Sequence, residues 1–280
     1  MFKLKGFQVY ATYHERSPPE LDVVWIKLNL ESEDSVVSNV REIRPEVIVH
    51  SAAYTDVDGC EINKERAFKI NYLGTNALAQ ISRDVGLELL IYVSTDYVFD
   101  GEKGLYTEYD IPAPVNYYGL TKLLGEISVR NSLPRNSVIV RVSGLYGYSP
   151  IGRRNFGIIA LEKLLKSEHI EAFNNQWLSP TYVKSLAEVM IRVVEEETTG
   201  IIHIAGERMS RYEFAVKLAE ALGVERGLVR PKPIEQARLI AKRPKDSSLN
   251  TSKSRELGLA LPPIHECIED MILTYRKLLR

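Results

Sequence analysis

Three uninterrupted apolar runs constrain this chain more than any other feature: "EVIVHSAA" (46–53), "LELLIYVSTD" (87–96) and "SVIVRVSGLYG" (137–147). A strand with one face in water alternates apolar and polar residues; continuous Val/Ile/Leu runs mark strands covered on both faces. Helical spacing fills the intervals, in "DSVVSNVREIR" (34–44), in the long amphipathic "NKERAFKINYLGTNALAQISRDVG" (63–86) and in "YYGLTKLLGEISVRN" (117–131). An earlier run, "FQVYATY" (7–13), reads as another strand. Strands and helices in alternation predict an α/β chain with a Rossmann-like, doubly wound parallel sheet and right-handed crossovers.

The second half reads as helices near Asn155–Lys166 and Val183–Glu197, a strand "GIIHIAG" (200–206) and a helix "SRYEFAVKLAEALG" (210–223). A basic, proline-bearing stretch runs from Arg230 to Lys245, and a closing helix runs to Arg280. This pattern predicts a dinucleotide-binding lobe over 1–147 and a smaller, mainly substrate-binding lobe over 148–280, with some elements returning to the first. The basic stretch suits either a rim for substrate phosphates or a solvated loop.

With 280 residues and a formal net charge of -1, the chain lacks the basic surplus of a dedicated nucleic-acid binder. No apolar run is long enough to span a bilayer, and the start carries no signal-peptide pattern. Cys60 and Cys267 are the two cysteines, and His14, His50, His169, His203 and His265 never fall into an HxxxH spacing. Neither a disulfide framework nor a metal site is expected, and a reducing, cytoplasmic setting is.

In such sheets, ligands lie beyond the carboxyl ends of the strands. Ser51, Ala52 and Ala53 at one strand end let a cofactor approach the backbone, or serve tight helix-on-sheet packing. Ser94 and Thr95 end another strand, where a hydroxyl either holds a carbonyl oxygen or caps a turn. The helix that follows carries Tyr117, Tyr118 and Lys122. Residues four apart on a helix share a face and residues five apart do not, so Lys122 serves Tyr118 and Tyr117 points elsewhere. A free phenol titrates near pH 10, and an adjacent ammonium lowers that value and makes a usable acid or base.

Four separated motifs give these residues a context: Ala52-Ala53-Tyr54-Thr55-Asp56-Val57-Asp58, Ser94-Thr95-Asp96-Tyr97-Val98-Phe99, Tyr118-Gly119-Leu120-Thr121-Lys122-Leu123-Leu124-Gly125-Glu126 and Arg243-Pro244-Lys245-Asp246-Ser247-Ser248-Leu249. In this order they resemble the extended short-chain dehydrogenase/reductases, and within them the dTDP-4-dehydrorhamnose reductase family. The resemblance runs from the first strand to the C-terminus. It implies an NAD(P)H-dependent oxidoreductase acting on a nucleotide-linked 4-keto-6-deoxy sugar. It implies Tyr118 as proton donor to the carbonyl oxygen, Lys122 as the group that tunes it and holds the nicotinamide ribose, and Thr95 as a hydrogen-bond partner of the reacting oxygen. Asn29, Leu30, Ala52, Ala53, Tyr54 and Thr55 would join Tyr118 and Lys122 at the cofactor. Asp96, Tyr97 and Gly144 would stand with Thr95 at the substrate, and Arg243 would contact its diphosphate. Asn29 stands where the family usually carries an acidic residue, and Gly144 replaces an aromatic substrate contact. A homodimer stays open.

The family's first strand and its G-x-x-G-x-x-G loop, whose amides hold the cofactor pyrophosphate, have no counterpart in this sequence. The expectation is that the natural start lies upstream or that another segment fills the gap, and that the sequence as given binds dinucleotide weakly. Tyr13, His14, Glu15 and Arg16 follow the first strand present; Arg16 favours the 2′-phosphate of NADP over NAD. Two rivals remain. The late motifs also resemble the regulatory β subunit of methionine adenosyltransferase, a binding module, and the superfamily includes nucleotide-sugar epimerases and dehydratases that retain NAD.

Overall fold

The computed structural model describes residues 1–16, 18–149 and 154–278. After a 3-10 turn at Phe2–Lys5 come β1 (Tyr10–Tyr13), β2 (Val24–Lys27), α1 (Glu33–Ile43), β3 (Val47–His50), α2 (Val57–Ile62), α3 (Lys64–Phe68), a π-helical turn (Lys69–Leu73) and α4 (Gly74–Asp84). Next are β4 (Leu89–Thr95), α5 (Tyr117–Ser132), β5 (Ser137–Val142), β6 (Leu145–Tyr146), α6 (Phe156–Leu165), β7 (Ile170–Phe173), β8 (Trp177–Leu178) and β9 (Thr181–Tyr182). Then follow α7 (Val183–Glu195), β10 (Gly200–His203), β11 (Met209–Ser210), α8 (Arg211–Leu222), β12 (Val229–Lys232), α9 (Ser252–Glu256) and α10 (Ile264–Leu278). The predicted closing helix is present as α10; Leu279 and Arg280 lie outside the described residues.

The three apolar runs become β3, β4 and β5 of a parallel sheet ordered β10-β5-β4-β3. Every residue of β4 and β5 is buried, which is why neither alternates. Leu89, Ile91 and Val93 face one side and pack with Leu186, Val189 and Met190 of α7. Leu90 and Tyr92 face the other and pack with Leu78 and Ile81 of α4 and Val129 of α5. This is the α/β, Rossmann-like architecture that the sequence predicts.

The sheet is nevertheless in two pieces. β1 and β2 form their own parallel pair, and no described strand pairs with both β1 and β3. The segment expected to fill the gap is not found among the described residues. Val47, Ile48 and Val49 of β3 are accordingly only half-buried. What joins the two pieces is helix packing: Val36 and Val40 of α1 share a core with Ala77 and Leu78 of α4 and with Leu28 and Leu30 after β2.

The predicted long helix is present as α3 and α4, with the π-helical turn between them. A further core, with Leu161, Leu164, Phe214, Leu218, Ile268 and Met271, is built by α6, α8 and α10. β10 returns to the main sheet beside β5. No helix among the described residues is long and apolar enough to cross a membrane.

Candidate active site

β4 ends at Thr95, where the chain turns sharply through Asp96–Val98. Thr95 Oγ1 accepts from the Tyr97 amide at 3.2 Å and closes the turn. α5 starts against this turn, capped by Asn116, whose Oδ1 accepts from the Gly119 amide at 2.8 Å. The close approach requires glycine: a Cβ at Gly119 would stand 2.1 Å from the Tyr97 carbonyl oxygen. Tyr118 is thereby brought near Thr95, whose hydroxyl acts on the phenol. Its ring meets Tyr97 edge-on at 6.1 Å. Tyr117 points elsewhere, with the Lys64 ammonium 5.4 Å from its ring centre.

Lys122 departs from expectation. Its side chain is 2% exposed and lines the same cavity wall as Tyr118. Yet its Nζ donates to the Val93 carbonyl at 2.8 Å and lies 4.0 Å from the Tyr92 ring centre. Burial pushes its pKa down to about 7, against the opposing pull of the Glu126 carboxylate. Tyr118 is not lowered: burial pushes its phenol above the ordinary value, and the Thr95 hydroxyl opposes this only in part. Shared helix face does not suffice, because a nearby strand carbonyl captures the ammonium.

Asp96 is 3% exposed and accepts from Ser143 Oγ at 2.7 Å, Ser247 Oγ at 2.5 Å and Thr95 Oγ1 at 3.1 Å. Burial raises its pKa, and these hydroxyls work against that rise. Ser94 points the opposite way, to Glu126 Oε1 at 2.5 Å. Glu126 also takes both the Nε (2.9 Å) and Nη2 (2.7 Å) of the fully buried Arg141. The two strand-end hydroxyls therefore divide their work, Thr95 at the cavity and Ser94 in the buried ion pair.

A cavity of about 510 Å³ opens at these strand ends, within the usual range for small-molecule sites. Of the sequence-predicted residues it is lined by Ala53, Thr55, Ser94, Thr95, Asp96, Tyr97, Tyr118, Lys122 and Gly144. Ala52 lies exposed just outside the lining, beside Ser51, which is part of it. Tyr54 lies behind, its backbone held by Asn71: Oδ1 accepts from the Tyr54 amide at 2.7 Å and Nδ2 donates to its carbonyl at 3.0 Å. Asn29 accepts from the Glu31 amide at 2.9 Å, and Leu30 packs in the core, its carbonyl facing Gly74. Gly144 sits at φ +49°, a backbone conformation that disfavours any side chain, and an added Cβ would also displace Leu178 Cδ1, 2.2 Å away. Arg243 is not in the lining; it is paired with Asp58 Oδ1 at 2.9 Å and donates to the Ala241 carbonyl at 2.8 Å. Sequence reasoning missed Asn71, Asn155, Gln176 and Arg211. Only the conspicuous "SRYEF" helix start gave a signal for the last of these.

The residues suit the nicotinamide end of a dinucleotide. An ammonium has three donors, and a single one of Lys122's is taken by an oxygen among the described residues. Lys122 lines the same cavity as the small residues Ala53 and Thr55.

Against this geometry, the chain matches the family described as the RmlD substrate binding domain over residues 1–277. The chain belongs to this family. It is 34% identical to the dTDP-4-dehydrorhamnose reductase of Bacillus anthracis solved in complex with NADP, over 93% of this chain and 92% of that one, with a TM-score of 0.82. It is 32% identical to the dTDP-4-keto-6-deoxy-D-glucose reductase of Streptomyces niveus, over 91% of this chain and 88% of that protein. It is 34% identical to the methionine adenosyltransferase 2 subunit beta of Rattus norvegicus, over 92% of this chain and 77% of that protein.

Proposed function

We propose that this family member is an NADPH- or NADH-dependent reductase of a nucleotide-linked 4-keto-6-deoxy sugar, with dTDP-4-dehydrorhamnose the first substrate to test. The observation that carries the reading is that Thr95, Tyr118 and Lys122 line one cavity at the carboxyl end of β4. The similarity to two reductases of dTDP-linked keto sugars supports the substrate class.

The reduced nicotinamide, when bound, supplies the hydride. Tyr118 donates to the ketone oxygen, and Thr95 joins it there once its single hydroxyl proton turns from Asp96 Oδ1, so that the two fix the carbonyl carbon in place. Tyr118 gives its phenolic proton to that oxygen as negative charge develops there. A phenol kept protonated by burial suits this donor role at neutral pH. The buried donors of Lys122 suit a ribose diol next to the phenol, and its ammonium would then steady the phenolate left behind. Asp96, held by the Ser143 and Ser247 hydroxyls, keeps Thr95 in register.

The test follows NADPH oxidation with dTDP-4-dehydrorhamnose at high cofactor concentration. Tyr118→Phe is expected to lower turnover by roughly a hundredfold to ten-thousandfold with an unchanged melting temperature. Equal turnover by wild type and Tyr118→Phe removes the reading.

A second reading, a regulatory subunit of a methionine adenosyltransferase, is favoured by the identity to the rat β subunit and by Lys122 facing Val93 rather than Tyr118. Recovery of a methionine adenosyltransferase on the immobilised chain, together with no turnover of the keto sugar, would establish it.

A further inference from the structure

The cations at and around the cavity are unequally matched. Arg154 in the lining pairs with Glu162. Arg208 pairs with Asp246 at 2.6 Å, and Arg243 with Asp58 at 2.9 Å. Lys122 is turned to the Val93 carbonyl. Arg211, also in the lining, has no carboxylate paired with it among the described residues, and its Nε is buried without a hydrogen-bond partner.

Packing holds this guanidinium in place. It lies over the Phe156 ring at 5.2 Å, a stacking that leaves the N–H edge free. Its nearest acidic neighbour on the helix, Glu213, is committed: the carboxylate accepts from the Ser210 amide at 2.6 Å while Ser210 Oγ accepts from the Glu213 amide at 3.1 Å. Arg211 is also the first residue of α8, where the helix dipole adds positive field. The reach of its charge extends to Tyr97, whose phenol feels both Arg211 and Arg243. A guanidinium on the wall of a cavity of this size, with no carboxylate paired to it among the described residues, selects a ligand bearing anionic oxygens.

We propose that Arg211 contacts the diphosphate of the nucleotide-linked substrate, between Phe156 and Tyr97, and that Arg243 instead holds its own loop through Asp58. The identity of the substrate rests on the reductase reading; the anion contact does not.

The experiment is calorimetric titration of dTDP, thymidine and NADPH onto the wild type and the variants Arg211→Gln, Arg211→Lys and Arg243→Gln. Arg211→Gln is expected to weaken dTDP by roughly tenfold to a hundredfold, with thymidine and NADPH affinities unchanged. Arg211→Lys should recover part of the loss, and Arg243→Gln should cost less than Arg211→Gln. The inference is overturned if Arg211→Gln binds dTDP like the wild type, if the loss falls on NADPH instead, if Arg243→Gln costs more, or if the wild type binds no dTDP. A chain that binds dTDP through Arg211 yet never reduces a keto sugar keeps this site and loses the reductase reading.

Discussion

The centre of the main sheet and the front of the chain reach different results. At the centre, β4 has a parallel neighbour on each edge and cover on both faces, and every side chain is buried. At the front, β1 has one neighbour, β3 has one, and the residues between β3 and α2 lie partly in solvent. Chemistry collects at the first place. The hydroxyls of Thr95, Ser143 and Ser247 converge on one carboxylate because β4 and the segments beside it are fixed from all sides. At the front the ion pairs are exposed: Arg66 reaches Glu31 at 3.4 Å and Glu15 at 3.8 Å, with its side chain 42% exposed. Rigid placement follows complete pairing, and the β4 end of the cavity has it where the Ser51–Thr55 end does not.

The largest effect is expected at the buried pair beneath the site. Glu126→Ala leaves Arg141 as an uncompensated charge among apolar side chains and should cost about 3–5 kcal/mol, read by denaturant unfolding. A loss under about 1 kcal/mol would show that the centre is no firmer than the front. Acid should attack the same layer. Burial holds His50 and His203 down to about 3, with Lys122 and Arg141 adding to the effect. The unfolded chain protonates both below the ordinary histidine value while the folded chain does not, so stability must fall as pH drops from 6.5 towards 3. His203→Gln should flatten that decline; an unchanged slope would remove His203 from the account.

Next in size is the contact that seats α5. Gly119→Ala forces a methyl onto the Tyr97 carbonyl, and overpacking of this kind costs about 1–3 kcal/mol. Because Tyr118 is the preceding residue, turnover should fall more steeply than stability. Equal activity at reduced melting temperature would separate the glycine from the placement of the phenol.

Much of this layout was legible in the sequence. Continuous apolar runs gave β3 to β5, and the four-residue spacing selected Tyr118 over Tyr117. What stayed hidden depends on competition between partners. The same spacing could not reveal that the Val93 carbonyl draws Lys122 away, since that oxygen belongs to a strand 29 residues earlier. Arg243 and Arg211 look equally free as letters; only the fold brings Asp58 to one and leaves the other, among the described residues, without a carboxylate. Asn71 was obscured because a π-helical turn interrupts the expected helix and points its amide at Tyr54 and Thr121. The short strands β6 to β9 follow pairing partners far along the chain, which local pattern does not encode.

The smallest effect is expected at the front, and it bears most directly on the contrast between the two regions. Arg66 touches Glu15, Glu31 and the ring of Tyr54 at 5.6 Å, so it joins the segment after β1, the turn after β2 and the start of the site. Its contacts are exposed, and exposed ion pairs contribute about 0.2–1 kcal/mol each. Arg66→Ala should therefore lower stability by no more than about 1 kcal/mol and leave Tyr118-dependent turnover intact. Amide hydrogen exchange sharpens the measurement, since β1 and β2 should exchange faster than β4 and β5 in the wild type and faster still in the variant. If Arg66→Ala instead unfolds as readily as Glu126→Ala, then front and centre form a single cooperative unit, and the α1–α4 core binds the two pieces of sheet more tightly than their separate strand pairing implies.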